Sequence, residues 1–273
     1  MKFVRCVALL GLLALPLAAP AAAGRVLQAP RIALDPPGFV GHGLSLNWAG
    51  YVSFPNNGSG TTFSEVDGSW TQPTATCQHK ATSYAAFFVG LDGNTSSTVE
   101  QIGTQANCSK GTPTSFAWYK MFPNPPVNLT SVQLPVSPGD SISAFVAHDN
   151  GTCPGADNFQ LSITNNTTSD TYSTCATLTG TQRTSAEWIT ESPVQCVAKC
   201  TRILPLTNFG SVTFTGAKTT GGATTGAIDN SAWQDDPLTM VTRSLNPRAT
   251  PGSLSDTPDT TGTSSFTVTW NQS

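Results

Sequence analysis

The sequence has few charged residues and no excess of positive charge. Asp, Glu, Lys and Arg together make up 11% of its 273 residues, and the formal net charge is −3. Proteins that bind nucleic acid usually carry a basic surface, so we expect no nucleic-acid partner. A low charge density also limits how far the surface charge changes as the pH falls.

Long apolar runs are missing after the first 23 residues. The opening stretch "MKFVRCVALLGLLALPLAAPAAA" has a basic start, an apolar run broken by proline and a small-residue end. This pattern is typical of a secretory signal peptide cleaved near Ala23 or Gly24, and the run is too short for a comfortable membrane span of roughly 20 residues. We therefore predict a soluble, secreted monomer without a membrane partner. Loss of Lys2 and Arg5 lowers the Lys+Arg count from 13 to 11 against 16 acidic residues, which gives a net charge of about −5.

Helical patterns are also missing. No window of 11 or more residues after the leader carries an apolar stripe of period 3.6, whereas many short segments alternate or are continuously apolar between turn residues. This pattern predicts an all-β fold, an antiparallel β-sandwich of two large sheets that forms a single domain over residues 44–273. Residues 24–43 contain three prolines and no periodicity, which predicts an unstructured arm or a short propeptide. The Thr/Gly-rich stretches 216–227 and 249–264 are predicted to be loops.

Six cysteines remain once Cys6 leaves with the leader. An even number in an exported chain indicates disulfides rather than free thiols. A zinc site at "CVAKC" is the alternative, but no second close Cys or His pair accompanies it. The predicted pairs are Cys77–Cys108, Cys153–Cys175 and Cys196–Cys200.

Familiar catalytic motifs are absent from the sequence. There is no Gly-x-Ser-x-Gly elbow, no His-Glu-x-x-His, no Asp-Thr-Gly or Asp-Ser-Gly triplet and no glycine-rich loop before a helix. The three histidines lie in no recognisable triad context. These absences argue against serine hydrolases, zinc peptidases, pepsin-like enzymes and nucleotide-binding proteins. We predict neither a metal nor a cofactor.

What is present is a carboxylate in the middle of an apolar strand. In "TSAEWITES" (184–192), strand alternation places Glu187 on one face with Ser185, Ile189 and Glu191. A buried carboxylate without a partner costs several kcal/mol or shifts its pKa upward. Glu187 should therefore line an open groove or have a hydrogen-bond partner.

A second polar side chain interrupts "STVEQIGTQ" (97–105). Gln101 shares a strand face with Gly103, and a glycine beside it leaves room for a close approach to the backbone. From the residues alone, both Gln101 and Glu187 are most simply polar groups with local hydrogen bonds. Spacing in sequence does not show that they meet.

Several segments together resemble the glutamic peptidases, the eqolisin family. The resemblance covers roughly residues 44–217 and implies two antiparallel seven-stranded sheets with a substrate groove across one concave sheet. The matching segments occur in the family's order: "NWAGY" (47–51), "GSWTQP" (68–73), "FFVGLDG" (87–93), "EQIGT" (100–104), "AWYKMFP" (117–123), "SAEWITE" (185–191) and "FGSVTFTGA" (209–217).

The resemblance implies a role for individual residues. Glu187 matches the catalytic glutamate and Gln101 the catalytic glutamine, while Trp48, Asp92 and Trp118 match positions that line or support the cleft. An ionised Glu187 would take a proton from the attacking water, and the Gln101 amide would donate a hydrogen bond to the developing oxyanion. The family works on polypeptides at acid pH.

Two positions depart from the family pattern. Lys120 stands where the family usually has a glutamate, and Phe116 stands where some fungal members have an aspartate. Both positions are near the cleft by analogy, so Lys120 is a candidate substrate-binding residue. One hypothesis is that its ammonium group favours acidic residues in the substrate.

A secreted carbohydrate-binding sandwich without catalysis is the alternative from another class. Trp48, Trp70 and Trp118 would then form a platform on which sugars stack. A glycoside hydrolase would instead need two carboxylates about 5–9.5 Å apart, for which Glu187 and Glu191 are the candidates.

Overall fold

The computed structural model describes residues 25–34, 42–56, 59–196, 200–242, 253–256 and 264–272. Within these ranges the regular elements are strands, as the short alternating segments predict, and none is a helix. The strands are β1 (Arg25–Leu27), β2 (Gly43–Ser45), β3 (Trp48–Pro55), β4 (Phe63–Thr71), β5 (Ala86–Leu91), β6 (Val99–Ser109), β7 (Thr112–Phe122), β8 (Val127–Asn128), β9 (Ser141–His148), β10 (Asn158–Asn165), β11 (Asp170–Thr177), β12 (Ala186–Glu191), β13 (Val194–Cys196), β14 (Cys200–Ile203), β15 (Ser211–Gly221), β16 (Thr224–Ala227), β17 (Trp233–Val241), β18 (Ser253–Asp256) and β19 (Phe266–Trp270).

Hydrogen bonds join most of these strands into one path that folds into two layers. The site layer has the order β17-β3-β12-β5-β6-β7-β8, and the support layer has the order β11-β10-β9-β4-β15-β19-β18. The layers meet where β17 pairs with β18. Neighbours along the path are antiparallel, so the predicted antiparallel β-sandwich is confirmed. The short strand β2 is parallel to β17, and β1, β13 and β14 form a separate small sheet.

The main core lies between the two layers. Strands β5 and β6 of the site layer pack against β9 and β10, and β12 packs against β4 and β15. Large apolar side chains that alternate inward from both layers fill this space, and fully burying each aliphatic or phenyl side chain contributes about 1.5–3 kcal/mol. They include Tyr51, Phe87 and Trp188 from the site layer and Trp70, Ile142 and Phe214 from the support layer.

The two central strands of the site layer, β5 and β12, are buried on both faces. The continuous apolar run of β5 predicts this double burial. A second apolar cluster therefore covers the outer face of the site layer, built around Trp48, Phe88 and Trp118. Glu187 lies in this doubly buried region.

The disulfides Cys77–Cys108 and Cys153–Cys175 are confirmed, with Cα–Cα distances of 5.5 and 5.7 Å. Cys196 and Cys200 lie opposite each other in the backbone register of β13 and β14. Their side chains are outside the described part, so that third pair stays a prediction.

The structure corrects two predictions about loops. The stretch 216–227 belongs to a hairpin in which residues 218–221 of β15 pair with β16. Its threonines are β-branched and favour strands, while Gly222 supplies the positive φ of the turn. The other stretch, 249–264, contains β18 and otherwise lies mostly outside the described residues.

Residues 24–43 are also not simply an unstructured arm. Residues 25–27 pair with β13, and residues 28–34 are held by hydrogen bonds to the site layer and to neighbouring loops. The sequence shows no periodicity there because this segment is held mainly through its backbone. The rest of the predicted arm, residues 35–41, lies outside the described part.

The described ranges contain no helix that is long and apolar enough to cross a membrane.

Candidate active site

The two predicted catalytic residues lie in one row across the site layer. Backbone register aligns Val52, Glu187, Gly90, Gln101 and Lys120 on strands β3, β12, β5, β6 and β7. Residues directly opposite each other in an antiparallel sheet point to the same face. The fold therefore brings together on the outer face three side chains that are up to 86 positions apart in sequence. We call these five residues the polar row.

Gly90 separates the two predicted catalytic side chains, and the sequence reasoning missed its role. A β-carbon built at Gly90 would lie 3.1 Å from Glu187 Oε1 and 3.3 Å from Gln101 Cβ. Glu187 Oε1 and Gln101 Cβ are therefore no further apart than the sum of these two distances. A residue without a side chain at this position lets the Glu187 carboxyl and the Gln101 side chain approach across β5 without displacement. Gly90 is visible in "FFVGLDG", but the sequence does not reveal which residues it faces.

Glu187 is buried without a compensating partner. Its exposed fraction is 0%, and none of the described residues donates a hydrogen bond of standard geometry to either carboxylate oxygen. Burial raises the pKa of Glu187 well above its ordinary value, and the charge of Asp92 adds to this, whereas the nearby Ser185 hydroxyl opposes it. Glu187 therefore does not line an open groove, contrary to one alternative that the sequence predicts, and the Ser185 hydroxyl is the polar group beside its carboxyl group.

The Gln101 side chain is also buried with its polar atoms unsatisfied. It is fully buried, and neither its amide nitrogen nor its amide oxygen has a hydrogen-bond partner among the described residues. Leaving a buried polar group unpaired costs about 1–3 kcal/mol, and native folds have few such groups. Two adjacent side chains with unused hydrogen-bonding capacity make this spot a candidate binding or catalytic site.

Asp92 supports the site from its edge. Its carboxylate accepts hydrogen bonds from the backbone N–H groups of Gln182, Arg183 and Thr184 at 2.8, 2.7 and 2.9 Å. These contacts fix the loop that leads into β12 and so set the position of Glu187. Asp92 has φ of 68°, the left-handed conformation in which β5 ends. The Asp92 carboxylate thus binds the chain before β12, and Asp92 has no exposed surface.

Glu100 is a third buried carboxyl group that the sequence reasoning did not single out. It pairs with Leu91 and Met121 and points to the inner face, away from Gln101. Burial raises the pKa of Glu100 well above its ordinary value, and the charge of Asp92 raises it further. Its position next to Gln101 in sequence gives no signal of this environment.

Aromatic rings pack beside the polar row on the outer face of the site layer. Phe88 lies edge-on between Trp48 and Trp118, with ring centroids 5.8 Å from each. Both tryptophans have no exposed surface, and Trp70 belongs to the support layer and lies in the core between the layers. The three tryptophans therefore do not form the exposed sugar-stacking platform of the alternative hypothesis.

Lys120 is buried at the β7 end of the polar row. Its Nζ donates a hydrogen bond to the carbonyl oxygen of Gln28 at 2.5 Å and lies 4.6 Å from the ring centre of Phe122. Burial lowers the pKa of Lys120 to about 8, although the nearby Glu191 carboxylate raises it. Burial likewise raises the pKa of Glu191 despite the opposing ammonium group, so desolvation outweighs the mutual attraction of this pair.

The described residues include no group of three or more His, Cys, Asp or Glu side chains able to hold a metal ion. The polar row offers a carboxyl group, an amide and an ammonium group. An antiparallel β-sandwich with this row on the outer face of one layer is the class of fold that the sequence predicts.

Comparisons with known proteins agree with this class. Residues 46–248 match the Peptidase A4 family. Aspergillopepsin-2 of Aspergillus niger is 28% identical over 208 residues, which cover 68% of each chain. The match to the family runs further towards the C-terminus than the resemblance that ends near residue 217.

Solved structures show the same fold. Scytalido-glutamic peptidase with a transition-state analogue inhibitor has a TM-score of 0.65 at 19% identity, over 82% of this chain and 98% of that one. SCP-B, a member of the eqolisin family in complex with the tripeptide Ala-Ile-His, has a TM-score of 0.61 at 19% identity over the same shares. Aspergilloglutamic peptidase from Aspergillus niger has a TM-score of 0.54 at 24% identity, over 69% and 99%.

The chain belongs to the Peptidase A4 family, the eqolisins. It is accordingly a peptidase, a hydrolase whose substrates are polypeptides.

Proposed function

We propose that this protein is a secreted acid endopeptidase in which Glu187 and Gln101 perform the catalytic chemistry. The observation that carries the proposal is their adjacency across Gly90, with both side chains buried on one face and no partner for their polar atoms among the described residues. Groups with unused hydrogen-bonding capacity are available to a substrate and a water molecule.

The proposed reaction has two proton transfers. The Glu187 carboxylate takes a proton from water as the water oxygen attacks the carbonyl carbon of the scissile peptide bond. Gln101 Nε2 donates a hydrogen bond to the oxygen that becomes negatively charged. The carbon–nitrogen bond then breaks, and Glu187 returns the proton to the leaving amine.

The pKa of Glu187 bears on this mechanism. Burial in the covered face favours the protonated form, which cannot act as a base. Water and substrate groups brought to this face restore solvation to the carboxylate and lower its pKa toward the ordinary range. A base active at acid pH needs this lower value.

Export and the absence of pepstatin inhibition are parts of the same proposal. The leader over residues 1–23 and the two disulfides, Cys77–Cys108 and Cys153–Cys175, support an oxidising compartment. The sequence lacks the aspartate triplets of pepsin-like enzymes, so pepstatin should not inhibit.

The test is hydrolysis of denatured casein or haemoglobin from pH 2 to 7 with pepstatin present. Glu187→Gln and Gln101→Ala are compared with the wild type, after circular dichroism has shown that each variant is folded. Cleavage at acid pH that both substitutions abolish is the expected result. A folded wild type that cuts nothing, or an equally active Glu187→Gln variant, would contradict the proposed function.

A further inference from the structure

The chain's own N-terminal segment lies across the site face. Lys120 Nζ donates to the carbonyl oxygen of Gln28 at 2.5 Å, Glu191 Oε1 accepts from the N–H of Ala29 at 2.8 Å, and Trp48 Nε1 donates to the carbonyl oxygen of Ala29 at 3.0 Å. Gln28 and Ala29 are 1% and 4% exposed. Three buried side chains thus hold two consecutive residues of this segment.

All three contacts reach the main chain of the segment and none reaches a side chain of it. Hydrogen bonds to backbone amides recognise an extended peptide whatever its sequence, and pockets for side chains then add selectivity. Lys120, Glu191 and Trp48 therefore provide what a subsite for a polypeptide requires. Lys120 and Trp48 donate to carbonyl oxygens of the segment, and Glu191 accepts from one of its N–H groups.

The position of these contacts relates them to the candidate active site. Lys120 belongs to the polar row and pairs directly with Gln101. The rings of Trp48 and Phe88 pack against each other beside that row. The segment then continues to Arg31, whose N–H donates to the carbonyl oxygen of Gly93 at 3.0 Å, at the end of β5. The same face thus carries the proposed catalytic pair and a bound stretch of polypeptide.

Lys120 and Glu191 need hydrogen-bond partners because their polar groups are buried away from water. A buried ammonium group and a buried carboxylate are costly unless hydrogen bonds satisfy them. The carbonyl of Gln28 satisfies Lys120, and the N–H of Ala29 satisfies one oxygen of Glu191. The Lys120 ammonium group has only hydrogen-bond donors, so a carbonyl oxygen is the backbone group that it can bind.

We propose that Trp48, Lys120 and Glu191 form a subsite that binds the main chain of a peptide beside the polar row, and that Gln28–Ala29 is its resident occupant. This inference rests on the proposed function, since the peptide that replaces the segment is the substrate. Lys120 then determines binding through a carbonyl group rather than through acidic side chains of the substrate.

The resident segment competes with substrate as a tethered ligand. Tethering gives a segment an effective concentration on the order of millimolar, so a free peptide must overcome it. The competition raises KM and leaves kcat unchanged once substrate saturates the site.

The test removes one main-chain contact from the full-length chain. Ala29→Pro deletes the N–H that Glu191 accepts, because proline has no backbone donor. Ala33→Pro is the matched control, since Ala33 is exposed and its N–H makes none of the hydrogen bonds found among the described residues. We expect KM for a peptide substrate to fall about 10-fold in Ala29→Pro at constant kcat, because leaving a buried polar group without its partner is worth about that factor. KM in Ala33→Pro stays that of the wild type.

A second measurement does not depend on catalysis. A synthetic peptide of residues 25–34 is titrated into the Ala29→Pro chain and binding is followed by calorimetry. The same peptide carrying an N-methyl group on its central alanine, residue 29, is the control. We expect the unmodified peptide to bind at least about 10-fold more tightly. If Ala29→Pro does not fold, the two peptides are compared on the wild type, where both must displace the resident segment.

The outcomes separate this inference from the proposed function. Equal binding of the two peptides, or a KM in Ala29→Pro equal to that of Ala33→Pro, would overturn the subsite even in an active peptidase. A chain that binds the unmodified peptide selectively but cleaves no protein would retain the subsite and refute the proposed function.

Discussion

The outer faces of the two layers both carry acidic side chains, yet the environments differ. On the support layer, a groove of about 320 Å³ is lined mainly by polar residues, with Asp67, Ser69, Ser143, Thr164 and Lys218 among them. These side chains alternate with core residues along their strands, as Glu187 does on the site layer. The alternation pattern alone does not distinguish the two faces.

Solvation and pairing distinguish them. Asp67 keeps contact with solvent and lies 3.7 Å from Lys218 Nζ. Burial and the charge of Glu65 raise the pKa of Asp67 to about 6, and Lys218 opposes the shift. Glu187 has no exposed surface and no such cation among its interactions. A carboxyl group that a fold leaves fully buried and unpaired calls for an explanation, of which a catalytic role is one, whereas a hydrated, paired one does not.

The sharpest test of this comparison replaces one carboxylate on each face by its amide. Glu187→Gln should lower kcat on a peptide substrate by about 10²–10⁴-fold, because it removes the general base. Asp67→Asn should leave kcat within about twofold, since the support-layer groove takes no part in the proposed reaction. Steady-state kinetics at acid pH measures both variants. A comparable loss in Asp67→Asn would show that the two faces are not functionally distinct.

The second test replaces one glutamine on each layer. Gln101→Ala should lower kcat by about 10²–10³-fold through loss of an oxyanion donor. Gln160 is the matched residue on the support layer, where its side chain pairs with Asn150 and Ser173. Gln160→Ala should affect stability slightly and kcat not at all. An unchanged kcat in Gln101→Ala would remove the amide from the mechanism.

Much of the fold follows from the sequence. Strand signals at residues 83–93, 114–123 and 140–149 overlap β5, β7 and β9, because apolar alternation and turn residues act locally. The sequence predicts a loop where the hairpin of β15 and β16 lies, because the threonines and glycines of this hairpin resemble turn composition. Pairing with β4 is what keeps β15 extended through Gly221.

The site is less accessible to sequence reasoning. Glu187 and Gln101 stood out as polar residues in apolar strands, and the family resemblance suggested their roles. Their adjacency depends on the cross-strand register through Gly90, which alternation within a strand does not determine. The placement of Gln28 over the site face depends on backbone contacts that leave no periodic signal.

A third prediction concerns the gap between the two catalytic side chains. Gly90→Ala places a methyl group 3.1 Å from Glu187 Oε1, which is tighter than an ordinary van der Waals contact. We expect kcat/KM to fall about 10-fold, because a displacement of the base by a fraction of an ångström disturbs its alignment. Gly151→Ala is the control, since a β-carbon there would meet no atom within 4 Å. Equal kinetics of both variants and the wild type would show that the gap has no functional role.

The smallest expected effect is on the free energy of unfolding. The direction in which this free energy changes with pH follows from the pKa shifts of the buried carboxyl groups. Glu100 has a folded-state pKa above its unfolded value, so its contribution to stability is present below pH ~4.3 and is lost as the pH rises through the folded pKa. Glu100→Gln mimics the protonated form, and the variant should therefore gain stability over the wild type as the pH rises from 4 to 7. Asp67→Asn should show a weaker gain, since the Asp67 carboxylate stays partly exposed to solvent and lies near Lys218. This gain should level off above pH ~6, because the pKa of Asp67 is about 6. Lys120, with a pKa of about 8, titrates above this range. Urea unfolding at pH 4, 5.5 and 7 measures the differences, and a Glu100→Gln variant that loses stability relative to the wild type as the pH rises would contradict the assigned pKa direction.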